Sequence, residues 1–185
     1  TFTVSKEALP HLNGHAEYMP FGVDTHRFHP AKARPHWPVG FIGTSLIGQP
    51  LDGASEMERL GLTGEIEMGD PATARTWEIL CGVRTSAIAR LEACAALHAH
   101  VWGNGWGQPS EKGVVTWHGL ADWATELPGV INQTAISLNV SKTMHLEDVA
   151  PRVLELLACG SVVVSNSLPG LWREFGDVMW FYDGI

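Results

Sequence analysis

The sequence predicts an α/β fold built on a doubly wound parallel sheet. Two observations carry this. Short apolar, β-branched segments alternate with helical segments along most of the chain, the pattern of repeated strand–helix–strand units. The clearest such unit surrounds Leu146–Asn166, LEDVAPRVLELLACGSVVVSN. Pro151 suits the first turn of a helix, where its missing N–H is harmless. Val153, Leu154, Leu156, Leu157 and Ala158 make that helix a buried one. Gly160 is placed to end it. Ser161–Ser165 then reads as a buried strand and Ile136–Val140 as the strand before, with 141–150 as loop. The loop, Arg152 and Glu155 therefore lie at the carboxyl end of a strand, where open α/β sheets bind ligands.

Taken in order, Thr1–Val4 resembles a strand end, and Ser5 caps a short helix through Leu9. Ala16–Pro20 is extended. Phe21–Pro30 is a turn-rich connector, and Ala31–Pro38 a proline-bearing linker. Val39–Thr44, VGFIGT, reads as the first buried strand. Ser45–Gly53 is loop and Ala54–Leu60 helical, while Thr63–Met68 fits strand or loop. Asp70-Pro71 starts a helical region over Ala72–Ala99 that Gly82 is able to break. His98–Trp102 is a strand closed by the turn Gly103-Asn104-Gly105. Val114–Gly119 is another strand. Asp122 caps a helix at Trp123–Leu127 that resumes after Pro128-Gly129 toward Gln133. Leu168–Phe175 is a short helix and Val178–Tyr182 a last strand. On this reading residues 1–37 form a connector segment and residues 38–185 the main domain.

The chain has 185 residues, enough for one domain, and its 45% apolar content supplies a core. A formal charge of −8 argues against nucleic acid as a partner. Cys81, Cys94 and Cys159 show no paired spacing, which fits a reduced, cytoplasmic protein. No apolar run is long enough to span a membrane, and no signal peptide is visible. The chain starts without Met and stops after an apparent strand, which fits a fragment of a longer protein.

Several stretches, in order, resemble the carboxyl-terminal domain of GT-B glycosyltransferases, and among them the family 4-like, CgeB-like (spore-maturation-protein-like) branch. PFGVDTHRFHP resembles the connector between the two domains, FIGT the first strand with its glycine turn, and VWGNGW the strand ending in Gly-x-Gly. VTWHGL resembles the strand ending in a base-contacting turn. ISLNVS precedes the ligand loop, and PRVLELLACGSVVVSN resembles the Glu-bearing helix. The resemblance implies one Rossmann-like half of a GT-B fold. It implies a nucleotide-diphosphate sugar as donor and transfer with retention to an acceptor glycan, lipid or protein. An amino-terminal domain of the same protein, missing from these 185 residues, would bind that acceptor, and no metal or other cofactor is expected. The family's glutamate pair has counterparts in Glu147 and Glu155, with seven residues between them; the Met-His-Leu-Glu context of Glu147 departs from the usual glycine-bearing pattern.

The residues can be read in two ways. Glu155 either accepts hydrogen bonds from vicinal ribose hydroxyls or pairs with Arg152 at a helix start. Arg152 either clamps the diphosphate, for which a guanidinium is well shaped, or serves as that partner. Glu147 would contact the transferred sugar. Gly43 and Thr44 either bring backbone N–H groups to a phosphate or form an ordinary strand-end turn. The same choice holds for Gly103, Asn104 and Gly105. Backbone groups of His118 and Gly119 would read the base edge, with the His118 imidazole a packed or capping group. His98 and His100 share a strand face but lack a third ligand with suitable spacing for a metal site. Trp102, Trp106, Trp117 and Trp123 line the pocket or fill the core. Two other functions fit the same fold, a GT-B-type nucleotide-sugar epimerase and a non-catalytic binding or assembly module.

Overall fold

The computed structural model describes residues 2–3, 6, 9–11, 17–44, 84, 86–93, 96–106, 114–141 and 146–182. The elements expected at Ser45–Gly53, Ala54–Leu60, Thr63–Met68 and Asp70-Pro71 lie outside them, as does most of the helix expected from Ser5 to Leu9. Strands β1 (Phe2–Thr3) and β2 (Glu17–Tyr18) form a small parallel pair. The main sheet comprises β3 (Trp37–Ile42), β4 (Ala99–Trp102), β5 (Val115–Gly119), β6 (Thr134–Asn139), β7 (Val162–Asn166) and β8 (Trp180–Tyr182). Its order is β5-β4-β3-β6-β7-β8, and every neighbouring pair is parallel. The chain winds outward from β3 to β5, returns to the other side of β3 at β6, and winds outward again. The strand order reverses between β3 and β6, and the crevice outside their carboxyl ends is where such sheets take ligands.

Four α-helical stretches flank the sheet among the described residues, besides a 3-10 turn at Leu9–His11: α1 (86–93), α2 (Leu127–Asn132), α3 (Pro151–Ala158) and α4 (Pro169–Phe175). The last three carry proline in the first turn and make no side-chain cap hydrogen bond. Proline there removes an N–H that would lack a helical partner and presets the backbone angle. After α3 the Gly160 N–H donates to Leu157 O and the Ser161 N–H to Leu156 O, with Gly160 at φ +73°. This pair of bonds is the Schellman ending expected of Gly160.

Alternation along the strands separates two cores. Val39, Phe41, Ala99, Val101 and Val115 pack with Ala87 and Ile88 of α1 on one face. On the other, Val163 packs with Leu127, Ile131, Val153, Leu156 and Leu171 of α2–α4. Phe28 of the connector, 1% exposed, belongs to that second core, so the segment before β3 is fastened to the sheet by a buried aromatic ring. The fold is thus the doubly wound, Rossmann-like parallel sheet that the sequence predicts.

Several boundaries differ from expectation; among them β3 ends at Ile42 rather than Thr44 and β8 begins at Trp180 rather than Val178. β3 and β6 each start two residues early, because Trp37 pairs with Thr134 and the His36 and Trp37 N–H groups both donate to Gln133 O. Pro38 is tolerated because pairing with β4 begins only at Val39, so no ladder bond is lost on that side. The helix expected at Trp123–Leu127 is instead a turn over residues 123–126, and helix begins at Leu127. Pro128 initiates α2 rather than interrupting it.

Candidate functional site

The carboxyl ends of β3, β4 and β5 converge on a cluster of glycines. Gly43 N–H donates to Trp102 O (2.9 Å) and Gly103 N–H to Gly119 O (2.7 Å). Gly103 has φ +145°, and a Cβ there would overlap the Gly43 carbonyl. Gly105 and Gly119 also have positive φ. The Trp106 indole N–H donates to Gly43 O (2.6 Å), and Arg84 Nη1 donates to Thr44 O (2.7 Å). The expected turn residues Gly43, Thr44, Gly103 and Gly119 therefore come together, with Asn104 exposed at the tip beside Gly105. The Gly43 N–H is already committed to the ladder. The absence of a Cβ at Gly103 is what permits the close approach of the two strand ends.

His118 projects onto the same sheet face as His98, His100 and Trp102, opposite Ala99 and Val101. Its ring stacks on Trp102 with centroids 4.5 Å apart and planes at 9°, and its Nε2 lies 2.8 Å from His100 Nδ1. The imidazole is thus part of a ring stack, the packed alternative raised by the sequence. His98 Nε2 lies 2.8 Å from Thr116 Oγ1. Among the described residues no group of three His, Cys, Asp or Glu side chains is arranged to hold a metal ion.

Burial, reinforced by His118, His98 and His36, pushes the His100 pKa down from 6.5 to about 4. Below pH 6.5 the unfolded chain takes up this proton before the folded one does, so the stability contributed by neutral His100 declines as pH falls from 6.5 toward 4. The melting temperature is expected to drop between pH 7.5 and 5, and to drop less in His100→Asn, which retains a group near Nδ1. Equal pH slopes in the two proteins would contradict this.

Glu155 lies on α3, whose N-terminus faces the carboxyl end of β6. It is 7% exposed, and both carboxylate oxygens have partners. Arg152 Nη1 donates to Oε2 (2.6 Å), and the Trp123 indole N–H donates to Oε1 (2.7 Å). Burial lowers the pKa of the Arg152 guanidinium, and Glu155 opposes that shift. Trp123 stands on a turn tied by Asp122, whose Oδ1 accepts from the Ala124 and Thr125 N–H groups and the Thr125 hydroxyl. These bonds hold the Asp122 carboxyl below its usual range. The Arg27 guanidinium lies 4.4 Å from the Trp123 ring centroid, and the Phe28 ring 5.6 Å. One turn after Glu155, burial and the Glu155 charge push the Cys159 thiol up to about 11, so it stays protonated.

Glu147 has a different partner, Arg173 Nη1 at 2.6 Å on α4. Its backbone is clamped against the start of that helix. Gly170 N–H donates to Leu146 O, and a Cβ at Gly170 would overlap the Glu147 carbonyl. The neighbouring Asp148 Oδ1 accepts from the Lys6 N–H (2.9 Å), which ties the amino-terminal segment to the same loop.

A buried polar network that sequence reasoning missed roots this loop. Asn139 Nδ2 donates to Ser141 Oγ and Ser165 Oγ, both at 2.8 Å. Asn166 Oδ1 accepts the Ser141 N–H (2.8 Å), and Asn166 Nδ2 donates to Ser141 O (3.3 Å). The Asn166 amide thus acts on Ser141 as another strand's peptide would. The available signal was polar residues closing two otherwise apolar strands, SLNVS and VVVSN.

Residues 84–183 match the model of a family described as glycosyl transferase-like. The matched span contains Gly103–Gly105, His118, Gly119, Glu147, Arg152 and Glu155, whereas Gly43 and Thr44 precede it. None of the curated proteins compared matches the chain.

Proposed function

Since the chain belongs to the glycosyl transferase-like family, we propose that it binds a nucleotide-diphosphate sugar and presents the sugar's anomeric carbon for transfer. The observation that carries this reading is the Arg152–Glu155 pair near the strand-order reversal, a buried carboxylate roofed by a half-exposed indole. In the proposed complex Glu155 accepts hydrogen bonds from ribose hydroxyls, and Arg152 faces the diphosphate. The Arg152 guanidinium would stabilise the charge that develops on the departing diphosphate. Glu147 sits on the neighbouring loop and is assigned to the sugar. The turns at Gly43-Thr44, Gly103–Gly105 and His118-Gly119 border the nucleotide. Retention of configuration, acceptor binding by an amino-terminal domain that these residues do not include, and the CgeB-like branch are further parts of the proposal, supported by the sequence resemblance alone. A thermal-shift screen against nucleotides and nucleotide sugars tests the reading, because a ligand of the native state raises the melting temperature. A rise with at least one member is expected; no rise with any would refute it.

The positive charge in this proposal comes from a guanidinium, which is never deprotonated near neutrality. Nucleotide affinity, measured by calorimetric titration, is therefore expected to be unchanged in EDTA. A large loss that Mn²⁺ or Mg²⁺ restores would overturn that assignment.

A further inference from the structure

We propose that the Trp123 side chain is a removable cover over Glu155, so that ligand hydroxyls reach this carboxylate only by displacing the indole. This inference rests on the nucleotide reading of Glu155 for its ligand, but the cover itself is a matter of geometry. Glu155 is 7% exposed, whereas Trp123, whose N–H it accepts, is 48% exposed. The indole is thus the outer of the two groups and the carboxylate the inner. Arg152 occupies Oε2 and Trp123 occupies Oε1, so neither oxygen is without a partner. A carboxylate has about four lone-pair sites, so two would remain for a vicinal diol, but they lie beneath the surface. Arg152 is itself substantially buried and belongs to the same helix. Trp123 stands on a separate turn, and rotation of its side chain would uncover Glu155 without disturbing α3.

The cover is held by a second contact besides its hydrogen bond to Glu155. The Arg27 guanidinium lies over the Trp123 ring, and the adjacent Phe28 is anchored in the core. Opening therefore gives up a charge-assisted hydrogen bond and a cation–π contact together. Two ligand hydroxyls restore the lost acceptor partnership, while a ligand with none at that position cannot. Trp123 becomes a residue that sets affinity and selects for a diol.

Two measurements on the 185-residue chain test this. Carboxyl labelling with a water-soluble carbodiimide and an amine, read by peptide mass spectrometry, is expected to spare Glu155 in the wild type and to modify it in Trp123→Ala. Titration with ADP, GDP and UDP is expected to show about tenfold tighter binding of the preferred nucleotide to Trp123→Phe, which keeps the ring but has no N–H to displace. Circular dichroism melting checks folding. Arg27→Ala, which leaves the indole and α3 intact, gives a second route if Trp123→Ala is unfolded, with a smaller rise in labelling expected. Equal labelling of Glu155 in all proteins, or, where the wild type binds a nucleotide, Trp123→Phe binding it no tighter, would overturn the cover. Changed labelling with no nucleotide bound by any protein would retain the cover and overturn the nucleotide reading of Glu155.

Discussion

Replacing Glu155 with alanine is expected to weaken binding of the preferred nucleotide by about ten- to a hundredfold. A hydrogen bond to a charged group contributes about 1.5–3 kcal/mol, and each 1.4 kcal/mol is tenfold. The same change also destabilises the fold. It strands a largely buried Arg152 guanidinium and an indole N–H, both of which Glu155 satisfies. Breaking a fully buried pair costs about 3–5 kcal/mol, and the Arg152 side chain is 30% exposed, so about 2 kcal/mol is expected here. Loss of stability alone would therefore not separate a ribose ligand from a helix-start partner. The double variant Arg152→Ala with Glu155→Ala isolates the stability cost, since it removes the stranded charge together with the guanidinium assigned to the diphosphate. Its stability should partly recover while nucleotide affinity stays low. Glu155→Gln keeps one acceptor oxygen and should lose less affinity than alanine. Calorimetric titration at a temperature where every variant is folded reads the outcome. Equal affinity of wild type and Glu155→Gln, with Glu155→Ala equal once folding is corrected for, would remove the ribose assignment.

The second large effect is expected at Gly103. Alanine there must adopt φ +145° and place its Cβ into the backbone carbonyl of Gly43, which neither strand end has room to avoid. Strain of this kind costs about 1–3 kcal/mol, and overpacking against fixed atoms costs a similar amount. A loss of about 3 kcal/mol or more is expected by urea denaturation. Gly119 is the internal control. It also has positive φ (+77°), yet an added Cβ meets nothing within 4 Å. Gly119→Ala should therefore lose only the conformational term, about 1–2 kcal/mol. Similar losses at both positions would show that the approach of the β3 and β4 ends is not what Gly103 serves.

What could be read beforehand follows from how far apart the interacting residues lie. Val39–Ile42, Ala99–Trp102 and Val162–Ser165 announce themselves as strands because each is a short apolar run bounded by turns. The α3 helix was legible from end to end, since Pro151 and Gly160 mark its limits through local backbone preferences. Arg152 and Glu155 were legible as a pair because three positions on a helix share a face. The indole that takes the other Glu155 oxygen was not, because residue 123 meets residue 155 only after β6 has been threaded between them. The Asn139–Asn166 amide contacts were hidden for the same reason: a polar residue at a strand end looks like a turn until its neighbour is known. Pro128 misled because proline breaks a helix or begins one depending only on where the helix starts, and Trp123–Glu126 gave no sign of being a turn.

The side-chain amide of Asn166 holds both polar backbone groups of Ser141, two residues beyond the end of β6. This has a consequence for the timescale on which the molecule opens. A buried amide hydrogen bonded in this way exchanges with solvent only when its surroundings unfold together. The Ser141 amide should therefore be as slow to exchange deuterium as those of the central strands, although no strand pairs with it. The cooperative unit of the sheet extends to residue 141, and the root of the loop leading to Arg152 and Glu155 unfolds only with that unit.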